Sequence, residues 1–162
     1  MQGKHGMDTH DHGPELGAEW TGHLRTMQII AGALVLGSTL FAVSVLVSFE
    51  GASDTLELLG MIGLGFAAVA IAVSSIVPGM IGKLNEGSST TEHMGVYQTR
   101  LIVRLAILDG AAFFNITALQ MEHNFWSLGI AGLLMILMLA SFPTQSKIAL
   151  WLQTQKEISS LD

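Results

Sequence analysis

The chain contains no cysteine, which removes disulfide frameworks, thiolate metal sites and cysteine nucleophiles together. Charge is scarce as well. Only 12% of the 162 residues are charged, against roughly a quarter in ordinary soluble domains. The seven Lys and Arg form no run or patch and the net charge is -6, so nothing favours a nucleic-acid partner. No Gly-rich phosphate loop, Ser/His/Asp arrangement or pair of histidines at haem-like depth occurs, and none of the three histidines His23, His93 and His123 falls well inside an apolar stretch. No cofactor is implied. The first 25 residues scatter Lys4, Asp8, Asp11, Glu15, Glu19 and Arg25, leaving no apolar core of the kind a secretory signal needs.

What the chain does have is apolar length. Half of its residues are hydrophobic, and four stretches are long enough for spanning helices of about 20 residues. Thr26 to Phe49 carries no charge; Leu58 to Gly82 is rich in glycine and alanine, which let helices approach closely in lipid; Leu101 to Met121 holds Arg104, Asp109 and Asn115; Phe125 to Phe142 ends at Pro143. The expected fold is an all-α membrane protein, a single four-helix transmembrane bundle over 26–142. A tail over 1–25 precedes it, with a short amphipathic lead-in, and an interfacial segment over 143–162 follows.

Orientation follows from the basic residues. Lys4 and Arg25 precede the first span, Lys83, Arg100 and Arg104 lie in or beside the loop after the second, and Lys147 and Lys156 follow the fourth. The connections near Glu50 to Glu57 and Glu122 to Asn124 have none. The positive-inside rule therefore predicts an inner (plasma) membrane protein with both termini and the central loop cytoplasmic. Trp20, His23, Leu24 and Met27, and again Ile148, Trp151 and Leu152, recur at helical spacing and are expected to lie along that surface. The first dozen residues and Asn85 to Glu92 read as mobile loop. Aligning Gly37 with Gly110 places ALVLGSTLF over AILDGAAFF, and both second helices end near a proline, Pro78 and Pro143, a faint internal repeat compatible with two repeated hairpins, against which the second hairpin is shorter and helices rich in Gly, Ala and Leu align easily with one another.

Asp109 is the one acid inside a span. It lies about 12 Å in from Leu101 at 1.5 Å per residue, near the middle of a core about 30 Å thick. An ionised carboxylate there costs at least about 2.5–3.5 kcal/mol, so the group is expected to be neutral, paired or facing protein. One reading is an Asp that hydrogen-bonds a neighbouring helix; the other is a proton or cation site. By depth alone, Ser74 and Ser75 on the second span can face it. Arg104, about 140° around the helix, is expected to snorkel to the headgroups. Asn115 and Gln120 read as interhelical glue, and Met135 and Met138 as lipid-facing or gap-filling. His10-Asp11-His12, with His5, Met7 and Asp8 nearby, has metal-compatible side chains but no regular ligand spacing, and reads as a solvated tail.

Pro78-Gly79-Met80-Ile81-Gly82, followed after a polar loop by RLIVRLAILDGAAFFNITA from Arg100 to Ala118, resembles the helical hairpin of the rotor-ring proteolipids, subunit c of F- and V-type ATP synthases. The resemblance covers the middle hairpin only. It implies that Asp109 is an ion-binding carboxylate with Ser74 or Ser75 as supporting ligands. A longer Ser/Thr-rich stretch stands in place of that family's short Arg-Gln-Pro loop, and two further helices flank the hairpin. Two functions follow from these readings. The chain is a structural or accessory subunit of a larger membrane complex; alternatively, it is a proteolipid-like subunit moving protons or cations through Asp109. Its expected partners are the lipid bilayer and other membrane subunits or copies of itself.

Overall fold

The computed structural model describes residues 13–49, 51, 53, 55, 57–81, 90–148, 150 and 154. Four helices account for most of them: α1 (Gly13–Val47), α2 (Leu58–Met80), α3 (Thr90–Glu122) and α4 (Phe125–Ala140). The only β-pairing among the described residues is an isolated bridge between Ser53 and Asn124. Three helices are long and apolar enough to cross a membrane, and α4, at 16 residues, is apolar but shorter.

Three of the helices, α1, α2 and α4, each bury a stripe at three- and four-residue spacing. In α1 it runs through Leu24, Met27, Ala31, Ser38, Ala42 and Val45. In α2 it is built wholly from small residues, Gly60, Gly63, Ala67, Ala70 and Ser74. In α4 it is Ser127, Ala131, Leu134 and Met138. That spacing is the seam of coiled-coil-like packing. Met138 therefore fills the interior, while Met135 is half-buried. The large apolar side chains of α2 point the other way: Met61, Ile62, Phe66, Val69 and Ile76 are all exposed. Small inside and large apolar outside is the arrangement suited to a hydrocarbon solvent.

α3 is the hub. It packs against α1, α2 and α4, whereas α1 and α2, although consecutive, make no major contact with each other. The α3–α4 hairpin is thus closely packed and the α1–α2 pair is splayed, so the two expected hairpins are not built alike. Instead of closing a tight turn, the α1–α2 connection is pinned to the α3–α4 turn, where the Ser53 amide donates to the His123 carbonyl at 2.9 Å.

Two expectations about the polar flanks are corrected. α1 and α3 begin well before the apolar stretches, at Gly13 and Thr90, so Thr90 to Glu92 are helical rather than loop. At 35 and 33 residues these helices are about 50 Å long, more than a bilayer core needs. Leu24, Met27 and Ile148, expected on the membrane surface, are buried in one cluster with Met94 and Leu101. Just after Pro143 the chain packs back onto the bundle through Ile148, and Gln28 Nε2 donates to the Pro143 carbonyl at 3.3 Å. Trp151 and Leu152, the His10-Asp11-His12 tail and most of the central loop lie outside the described residues, as does any description of the Trp20 side chain.

Candidate functional site

Asp109 faces α1. Its Oδ1 accepts a hydrogen bond from the Ser38 hydroxyl, and Ser38 is fully buried. One turn further along the same seam, Phe41 and Phe113 stack with centroids 5.1 Å apart. Asp109 itself is half-buried, and among the described residues its second oxygen has no hydrogen-bond partner.

The partners expected from depth are placed otherwise. The hydroxyls of Ser74 and Ser75 both donate to the Ile71 carbonyl of their own helix, at 3.0 and 2.9 Å; Ser74 is buried and Ser75 exposed. Depth is one coordinate only. The direction around the helix decides the partner, and the α3 face that carries Asp109 is turned to α1. Ser38 was discernible in the sequence in one way: the alignment of Gly37 with Gly110 puts Ser38 and Asp109 within two positions of each other, and both helices run in the same direction.

Three further polar residues on or just after α3 reach other helices. Asn115, fully buried, donates from Nδ2 to the Gly63 carbonyl of α2 at 3.2 Å and to the Ala111 carbonyl at 2.9 Å. Its Oδ1 is buried without a partner and lies so close to Gly63 that a β-carbon there would come within 2.6 Å of it. Gln120, by contrast, is exposed. Glu122, at the α3 C-terminus, caps α2 across the bundle: its two carboxylate oxygens accept from the Leu59 and Gly60 amides at 2.5 and 2.8 Å. The positive end of the α2 dipole and its orphan amides are thereby satisfied, which matters because the local N-cap Glu57 makes no side-chain bond. Asn124 caps α4 through Ser127 N at 2.8 Å and donates to Glu122 at 3.0 Å. Between these caps His123 holds φ = 53°, the left-handed conformation that ends many helices, with its amide bonded to the Leu119 carbonyl at 2.9 Å. The Asn-x-x-Ser cap is visible in the sequence; the Glu122 cap is not, because its donors lie more than sixty positions away.

Among the described residues no group of three His, Asp or Glu side chains is placed to hold a metal ion. At the other end of the bundle Arg104 is exposed and shares a cavity with Arg100 and Lys147. No protein-family model, no curated protein and no solved structure matches the chain.

Proposed function

We propose that the chain is a membrane-embedded structural subunit of a larger membrane complex, multi-pass, with four helices crossing an inner or plasma membrane and both termini in the cytoplasm. The observation that carries this reading is the Ser38–Asp109 hydrogen bond. The costliest residue in the apolar region is engaged in holding α1 to the hub helix. Asn115 does the same for α2, and Glu122 for the α2 N-terminus. In a medium without water each such bond is hard to replace, so a small bundle can hold a fixed outer surface for neighbouring subunits.

The alternative is a proteolipid-like subunit translocating protons or cations, with Asp109 as the exchanging carboxylate. One observation favours it: Asp109 is only half-buried and has one oxygen without a hydrogen-bond partner among the described residues, as an exchanging carboxyl requires.

Asp109→Asn separates the two readings. The amide keeps a carbonyl oxygen for Ser38 and removes titration. Under the structural reading it leaves detergent stability and co-purification with other membrane subunits unchanged, while Asp109→Leu and Ser38→Ala each destabilise the bundle, by about 0.6–2 kcal/mol. A normally assembled Asp109→Asn protein that loses proton or cation flux in proteoliposomes would overturn the structural reading. So would pH-dependent labelling of Asp109 by a hydrophobic carbodiimide that an added cation suppresses.

A further inference from the structure

At the end of the bundle where α2 and α4 finish and the apolar part of α3 begins, a cavity of about 270 Å³ opens between the three helices. Pro78, Leu101 and Ala140 form its apolar floor; Tyr97, Arg100, Arg104 and Lys147 form its polar rim. Three of the chain's seven basic residues thus converge on one cavity, and among the described residues no acidic one lines it. They arrive from two directions: Arg100 and Arg104 are four residues apart on one face of α3, and Lys147 comes from the turn that follows α4.

Two of the cations have work within the fold. Arg100 Nε donates to the Ile81 carbonyl at 2.9 Å, just past the α2 C-terminus. Lys147 Nζ donates to the Ala140 and Phe142 carbonyls at 2.6 and 3.3 Å, at the end of α4. Both complement the negative ends of helix dipoles. Arg104 makes no such bond among the described residues. A third cation beside two others, with no carboxylate lining the cavity among the described residues, is repelled by them, and an anion between them removes that cost. A guanidinium offers the planar pair of donors that matches two oxygens of a phosphate.

We infer that this cavity binds a phosphate group, held chiefly by Arg104 with Arg100, Lys147 and the Tyr97 hydroxyl around it, and that its source is the headgroup of an anionic phospholipid. The floor supports the lipid source. Its Pro78 and Ala140 stand within two residues of Met80 and Leu139, 76% and 55% exposed, so acyl chains can lie along α2 and α4 while the phosphate sits at the rim. Basic pockets between helices on the cytoplasmic side are the usual seats of such headgroups. The inference does not depend on whether the chain is structural or moves ions.

The test uses the full chain purified in a neutral detergent, with thermal unfolding and native mass spectrometry as readouts. The probes are phosphatidylglycerol, phosphatidylcholine and inorganic phosphate. Phosphatidylglycerol should raise the unfolding temperature and be retained in the mass spectrum, while phosphatidylcholine at the same concentration should do neither. Arg104→Gln should weaken that retention by about tenfold or more, with Arg104→Lys in between and Arg25→Gln, at an exposed arginine that does not line the cavity, unchanged. Stabilisation by millimolar inorganic phosphate, lost in Arg104→Gln and without phosphatidylglycerol retention, would assign the phosphate to a soluble source and overturn the lipid. Equal retention of both lipids, or retention that Arg104→Gln leaves intact, would overturn the site itself.

Discussion

Gly63 and Asn115 show how far one atom decides the packing of α2 on α3. A β-carbon at Gly63 would lie 2.6 Å from Asn115 Oδ1, closer than carbon and oxygen can approach, and Asn115 is buried with no room to swing into solvent. Gly63→Ala should therefore push the amide aside, break its bond to the Gly63 carbonyl and cost about 1–3 kcal/mol as an overpacking change. Asn115→Ala removes the obstacle along with the bond. The double variant should then be less destabilised than the sum of the two singles, a coupling readable from unfolding midpoints in one detergent. Strict additivity would mean that the two residues do not meet. That Asn115 ties helices together was legible in the sequence, because an amide in an apolar stretch must find a partner; that the partner is a glycine carbonyl was not, since glycine carries no side-chain signal.

At the scale of elements, hydropathy located the apolar stretches well and the helix ends poorly. α2 and α4 begin where the apolar runs begin, at Leu58 and Phe125, because a charged residue and an asparagine cap stand directly before them. α1 and α3 begin over ten residues earlier than their apolar runs, since hydropathy reports lipid and not helix, and Leu24 and Met94 of the two polar extensions are buried in one cluster. The cap on α2 belongs to this scale too. Glu122 supplies what Glu57 does not, so Glu122→Ala should expose the Leu59 and Gly60 amides, with a loss of about 1.5–3 kcal/mol for bonds to a charged acceptor. Hydrogen exchange is the direct check: those two amides should exchange faster in the variant while the amides of mid-α3, from Leu105 to Ala112, keep wild-type rates. Unchanged exchange at Leu59 and Gly60 would show that the cap contributes nothing.

For the whole molecule, the open question is whether the short α4 completes a fourth crossing. Sixteen residues make about 24 Å of helix, less than a core of about 30 Å, but a bilayer can thin locally at modest cost. The packing argues for a crossing. α4 starts at Asn124 beside the α1–α2 connection, through the Ser53–Asn124 bridge, and ends where Pro143 accepts from Gln28 and Ile148 joins the cluster of Leu24 and Met94. It therefore runs back beside the apolar part of α3 as far as the cavity that Ala140 and Ser141 share with Leu101 and Arg104, and the two ends of the bundle lie on opposite sides of any membrane that α1 and α3 span. Because the chain has no cysteine, single cysteines report without background. Thr55→Cys and Gln145→Cys, both at exposed positions, place one thiol at each end. With the positively charged end in the cytoplasm, an impermeant thiol reagent should label Thr55→Cys in intact cells and reach Gln145→Cys only after permeabilisation. The reverse pattern would invert the orientation while keeping four crossings. Labelling of both from outside would mean that α4 does not cross, and that its packing against α3 forms only outside the bilayer.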